Sequence, residues 1–411
     1  MAVEENVRTA IVLSGGGARG AYEAGVLSYL FEKIYPKLPP GFEFDIISGT
    51  SVGAIHAAYL AATAHLDGPA RAERLIATWE SMSARNVFRV TVGDLVGVPL
   101  RALGLSRMAR PQGRRKAPEV VGGLVDVSPL ERVVNERIPW KHLRDNLSGQ
   151  RPTTLCVSCT EVRRGFVTVF MDGALANPTP WEYDANAVAV RASITPRHVR
   201  ASAAIPFLFP AVRIGDRYFV DGGVRMNTPL SPALRLGSSR VVVVGLKHPA
   251  TSKEEHPVYP EEVITQPAFL LGKVLNALML DQLEYELQRL ELVNALIRHG
   301  QRVYGDDFLE RINVAIREQR GVDYRYVRTA VLRPSEDIGR MAAECYRRTG
   351  AASFGALPSI VARLAMRGMP EDEADLLSYL YFDACFTRPL VELGRADAEA
   401  HADEILEVLS S

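Results

Sequence analysis

Apolar residues fall in short runs that end in glycine turns and pass at once into helical spacing. The first run, Thr9–Leu13, ends in Ser14 and three glycines, after which Ala21, Ala24, Val26, Leu27 and Leu30 recur as one buried helix face. A second run, Phe42–Ile47, meets another glycine turn and an alanine-rich helix over Ala54–Ala64. Two strand–turn–helix units so close together predict a parallel α/β sheet covered by helices. Further strands are expected at Thr154–Cys159, Phe166–Phe170, Arg217–Val220, Arg240–Leu246 and Tyr326–Leu332. In the fourth of these, the valines Val241–Val244 mark a strand buried on both faces.

Two stretches interrupt this rhythm. Residues 85–123 are dense in glycine and proline and read as a long loop. Within it Arg101, Arg107, Arg110, Arg114, Arg115 and Lys116 occur with no acid between them. Such a segment is either solvated or a lid-like face toward anionic headgroups. Residues 262–320 form a helical insertion, with Leu283, Leu287, Leu290, Val293 and Ile297 spaced to pack on the core. The expected organisation is a core over residues 6–339 and a helical C-terminal region over 340–411.

Composition narrows the class. In 411 residues, 47% are hydrophobic and 23% charged, the balance of a globular protein long enough to bury a core without disulfides or metals. Lys plus Arg equals Asp plus Glu at 48 each, so a nucleic-acid partner is not expected. Four cysteines are too few for a secreted disulfide scaffold. The N-terminus carries Glu4 and Glu5 where a signal peptide needs positive charge, and no apolar run is long enough to span a bilayer. The expected address is cytoplasmic, peripheral to the membrane at most.

The turns carry the candidate chemistry. Gly49-Thr50-Ser51-Val52-Gly53 lies between strand and helix, the setting of a nucleophile elbow. A serine there sits in strained backbone, close packing permits only glycine two residues to either side, and the helix N-terminus faces a developing oxyanion. Gly15-Gly16-Gly17-Ala18-Arg19-Gly20 exposes backbone amides and suits an oxyanion hole or a phosphate cradle. A dinucleotide site would need an acid at the carboxyl end of the second strand. The candidate, Asp45, stands within Phe42–Ile47, too early to reach a ribose.

A serine nucleophile needs a base. His56 follows Ser51 on the same helix and would point away from it; His198 and His248 stand in no distinctive turn. Asp221-Gly222-Gly223 is more suggestive, because an acid ends a strand and two glycines allow close backbone approach. Asp172-Gly173 is a weaker rival. Cys156-Val157-Ser158-Cys159 alternates as a strand and reads as buried small residues, not a metal site.

Together the Gly15–Gly20 loop, the Gly49–Gly53 elbow and the Asp221–Gly223 turn, in that order, resemble the patatin-like phospholipases. The block Ala201–Pro206, with Phe209-Pro210 and Tyr218–Gly223, is similar to the family's stretch before its acid. The resemblance covers residues 8–246 strongly and 325–339 more loosely. It implies a three-layer α/β/α fold with a mostly parallel central sheet, and no metal or other cofactor. It also implies hydrolysis of fatty-acyl esters by a Ser51–Asp221 dyad without histidine. The oxyanion loop would be Gly15, Gly16, Gly17, Arg19 and Gly20, with the amides of Gly16 and Gly17 as donors and Arg19 as support. Gly49 and Gly53 would shape the elbow, and Gly222 and Gly223 the acid turn.

The expected activity is that of a phospholipase A or lysophospholipase, with a lipid substrate at a membrane surface or micelle. Transacylation through the same acyl-enzyme is one alternative, and a non-hydrolytic lipid-binding scaffold another. A homo-oligomer is compatible with the chain.

Overall fold

The computed structural model describes residues 7–89, 118–123, 125–148, 153–249, 282–350 and 375–410, with isolated positions at 261, 265, 270 and 273. The arginine-rich stretch 101–116 and the first part of the helical insertion lie outside the described residues.

The chain runs β1 (Thr9–Leu13), α1 (Gly20–Tyr29), β2 (Ile46–Thr50), α2 (Val52–Thr63), α3 (Gly68–Glu80), β3 (Val120–Val121), α4 (Ser128–Arg137) and α5 (Trp140–Leu147). It continues through β4 (Thr154–Glu161), β5 (Val167–Asp172), β6 (Ala187–Arg191), α6 (Pro196–Ser202), β7 (Ala211–Ile214), β8 (Arg217–Asp221), α7 (Leu230–Arg235) and β9 (Arg240–Val244). The last elements are α8 (Gln282–Tyr304), α9 (Phe308–Arg320), β10 (Arg328–Leu332), α10 (Ile338–Thr349), α11 (Asp375–Leu380), α12 (Ala384–Ala400) and α13 (Ala402–Ser410).

One sheet joins the ten strands of the described residues in the order β10-β9-β1-β2-β4-β8-β7-β3, with β5 on the other edge of β4 and β6 beyond it. The pairs from β10 to β4 and the β5–β6 pair are parallel, whereas β4–β5, β4–β8, β8–β7 and β7–β3 are antiparallel. Alternation along β1 sends Ile11 and Leu13 into one core and Ala10 and Val12 into another. The first core takes α1, α2, α3 and the C-terminal helices; the second takes α7 and the α8 residues Leu283, Leu287 and Leu290. This is the three-layer α/β/α arrangement expected, with a mixed sheet whose centre is parallel.

β2 starts later than the apolar pattern suggests. Phe42 and Phe44 form an edge-to-face cluster with Tyr35. The ladder instead runs through Ser48-Gly49-Thr50, which carry little hydrophobic signal; Ser48 and Gly49 pair on both sides and Thr50 with β4. Asp45 accepts from the Thr9 amide at 2.8 Å and from its hydroxyl at 3.0 Å, so it fastens the entrance of the sheet and touches no ligand end.

The C-terminal helices are built into this frame. Arg395 of α12 donates to Ser28 Oγ at 2.8 Å and Glu32 Oε2 at 2.7 Å on the α1 side. Arg240 donates to the Leu409 carbonyl of α13 at 3.1 Å. Asp383 caps α12 through the Cys385 amide at 2.9 Å. Cys385 is disulfide-bonded to Cys345 of α10, a pairing that the cysteine count did not suggest. Cys156 and Cys159 are buried and free, as expected for small core residues.

Candidate active site

β4 brings the two ends of the site together. Its residues 154–158 pair with β2, and on that same edge its next residues, 159–161, pair with β8. Thr50 therefore faces Ser158 while Asp221 faces Cys159, one position further along. Ser51, the residue after Thr50, meets the acid across this junction. Its Oγ donates to Asp221 Oδ2 at 2.6 Å, the short distance of a charge-assisted bond.

Both groups are tightly held. Ser51 has φ 55° and ψ −123°, a conformation that costs a non-glycine residue about 1–3 kcal/mol. A Cβ on Gly49 would meet the Gly53 carbonyl, and one on Gly53 would meet that of Leu13, so the elbow admits neither. The Ser51 amide donates to Ser202 Oγ at 2.9 Å, and Ser202 donates on to the Ser158 carbonyl at 2.7 Å. The Asp221 carboxylate takes a second bond at Oδ1 from the Gly223 amide at 2.7 Å. Burial pushes this carboxyl up to about 7, with Ser51 and the Gly223 amide pulling against the rise.

Asn227 fixes the glycine loop against the acid turn. Its carbonyl accepts the Gly15 amide at 3.0 Å and its Nδ2 donates to the Gly15 carbonyl at 3.0 Å. The Gly15 amide is thereby occupied, and that of Gly20 turns back onto Ala18 and Gly17. No described residue takes the amides of Gly16 and Gly17. Gly17 has φ 58°, and a Cβ there would strike the Tyr379 carbonyl. Arg19 is buried, donates from Nε to Ser378 Oγ at 2.8 Å and lies 4.4 Å above the Tyr379 ring. It therefore braces the loop from behind.

The rival residues are engaged elsewhere. Asp172 accepts the Ile194 amide at 2.9 Å. His198 bonds Thr195 at its own helix start, and burial pushes its imidazole down to about 4. His248 pairs with the Pro334 carbonyl, and His56 with Glu23 and Trp79. Cys345, Asp383 and Cys385 have the spacing of a metal site, but the two sulfurs are spent on each other.

An almost wholly apolar cavity opens beside Ser51. Ile55, Leu75, Trp79, Met82, Val133 and Phe209 wall one part, and Tyr379, Leu380 and Phe382 complete it from the C-terminal segment. Phe382 stacks on Trp79 with centroids 6.3 Å apart. Ser202, Asn227, Trp79 and Phe382 escape sequence reasoning because buried polar residues and core aromatics carry no pattern that marks a site.

A dyad at a strand-to-helix elbow, beside free amides and an apolar cavity, defines a serine hydrolase. The chain belongs to the patatin-like phospholipase family, whose profile matches residues 11–234, over half of the sequence. It is thus a lipid-hydrolysing enzyme. Comparison with curated protein sequences finds no match. Among solved structures it is similar to VipD from Legionella pneumophila at 13% identity, covering 98% of this chain and 74% of that one, with a TM-score of 0.32. It is also similar to human GIVD cytosolic phospholipase A2, solved in complex with methyl gamma-linolenyl fluorophosphonate. That match has 12% identity, covers 99% of this chain and 59% of the other, and has a TM-score of 0.38.

Proposed function

We propose that Ser51 is the nucleophile and Asp221 the general base in hydrolysis of a phospholipid or lysophospholipid acyl ester. The 2.6 Å contact between them carries this reading. Ser51 Oγ attacks the ester carbonyl carbon as Asp221 Oδ2 takes the hydroxyl proton. The tetrahedral oxyanion rests on the Gly16 and Gly17 amides, the two in the loop that no described residue occupies. Collapse breaks the bond to the alcohol oxygen, which leaves with the proton held by Asp221. Asp221 then deprotonates a water that attacks the acyl-enzyme; Ser51 regains its proton as the fatty acid departs. A carboxyl poised near 7 suits both proton transfers.

The acyl chain would occupy this cavity, whose exposed lining is almost wholly apolar. Support for a substrate met at a lipid surface comes from Phe207. It is 79% exposed at φ 68°, a conformation unusual for an aromatic residue, and its neighbours Ile205 and Phe209 line the cavity. No helix of the described residues is long and apolar enough to cross a membrane.

Labelling with a fluorophosphonate followed by peptide mapping tests the reading. An adduct on Ser51, formed much more slowly in Asp221→Asn, is expected. Fatty-acid release that persists unchanged in Ser51→Ala overturns it.

A further inference from the structure

We propose that His56 and Glu23 are positioning residues that hold the oxyanion loop, the nucleophile helix and the acyl-cavity wall in a single register. The proposal rests on the assignment of Ser51 as nucleophile.

Three hydrogen bonds run in line through the interior. The Ser14 amide donates to Glu23 Oε1 at 2.7 Å, His56 Nδ1 lies 2.7 Å from Glu23 Oε2, and Trp79 Nε1 donates to His56 Nε2 at 2.9 Å. Ser14 and Glu23 are fully buried, and His56 and Trp79 are 2% and 3% exposed. An indole nitrogen can only donate, so His56 Nε2 presents a bare lone pair. The neutral ring then carries its proton on Nδ1 and donates it to Glu23, which accepts twice. The direction of every bond is fixed by chemistry, and no alternative arrangement satisfies all three.

Each member stands where displacement would reach the reaction. Ser14 immediately precedes the loop whose Gly16 and Gly17 amides face the oxyanion. His56 lies on α2, whose first turn follows Ser51. Trp79 walls the cavity and stacks on Phe382. His56 bonds neither Ser51 nor Asp221, so it takes no part in proton transfer. An apolar trio would fill this volume without the desolvation cost of a buried acid, and what the polar line adds is registry.

Two substitutions separate the links. In His56→Gln, the longer amide reaches Trp79 with its oxygen and gives up Glu23; in His56→Asn, the shorter amide donates to Glu23 and leaves the indole unpaired. His56→Gln is expected to lower kcat at least tenfold across acyl-chain lengths with little change in KM. His56→Asn is expected to raise KM for long-chain esters at least fivefold, more than it lowers kcat. Wild-type kcat and KM in both folded variants overturn the proposal. If either variant fails to fold, histidine nitrogen NMR of the wild-type enzyme decides. The Nδ1–H tautomer at His56, with a slowly exchanging Trp79 indole proton, is expected, and the Nε2–H tautomer overturns it. Absence of fluorophosphonate labelling in the wild type would remove the nucleophile assignment instead, whichever tautomer His56 shows.

Discussion

The Ser51 amide donates to Ser202 Oγ, and Ser202 passes the bond to the Ser158 carbonyl of β4, so the strained elbow is tied through one hydroxyl to the strand that pairs with the Asp221 end of β8. All three groups are buried. Ser202→Ala leaves the Ser51 amide without its acceptor, a loss of about 1–3 kcal/mol in unfolding free energy. Chemical denaturation should show this loss, together with a lower kcat as the elbow relaxes.

Activity should rise with pH through a midpoint near 7, because Asp221 must be ionised to take the serine proton and burial holds its carboxyl there. A kcat/KM profile measured with an uncharged ester tests this, and a midpoint in the ordinary carboxylate range contradicts it.

The same burial sets a stability cost of opposite sense. The folded chain holds the Asp221 proton more tightly than the unfolded chain, so this residue's contribution declines as pH rises from about 4 to about 7. The whole penalty, on the order of 4 kcal/mol, stands above that window. Asp221→Asn should therefore be inactive yet at least as stable as the wild type at pH 8 by thermal denaturation.

Val133 of α4 borders the cavity. Val133→Trp should fill that part of the space and shift preference toward shorter acyl chains, with at least a tenfold loss of kcat/KM on long-chain relative to short-chain p-nitrophenyl esters. An unchanged chain-length profile would place the acyl group elsewhere.

Phe207→Ala removes an exposed aromatic group worth about 1.5–3 kcal/mol when buried in an apolar medium. Vesicle binding and hydrolysis should weaken tenfold or more, while turnover of a monomeric soluble ester changes little. Equal losses on both substrates would assign Phe207 to the fold rather than to the lipid surface.

Much of the site was legible in the chain because its parts depend on local geometry. A serine between Gly49 and Gly53 at a strand end, three consecutive glycines after β1, and an acid before Gly222 and Gly223 each signal a turn that only those residues permit. β6 and β7 were not legible, being short strands that are only partly buried. The preference for Asp221 over Asp172 rests on its second glycine and on the family resemblance, since both acids end strands. What separates them is pairing: β8 continues the edge of β4 where β2 stops, whereas β5 occupies the opposite edge.

The sequence by itself determined the α/β class, the elbow, the glycine loop and the acid turn, since backbone strain and close approach restrict residue type position by position. Only the tertiary structure decided that Asn227 occupies the Gly15 amide, that Arg19 braces its loop against Ser378 and Tyr379, and that Glu23, His56 and Trp79 form one buried line. It also decided that the C-terminal residues Tyr379, Leu380 and Phe382 wall the cavity. These contacts join residues up to hundreds of positions apart, and their side chains look like ordinary core until the chain folds and desolvation obliges every buried polar group to find a partner.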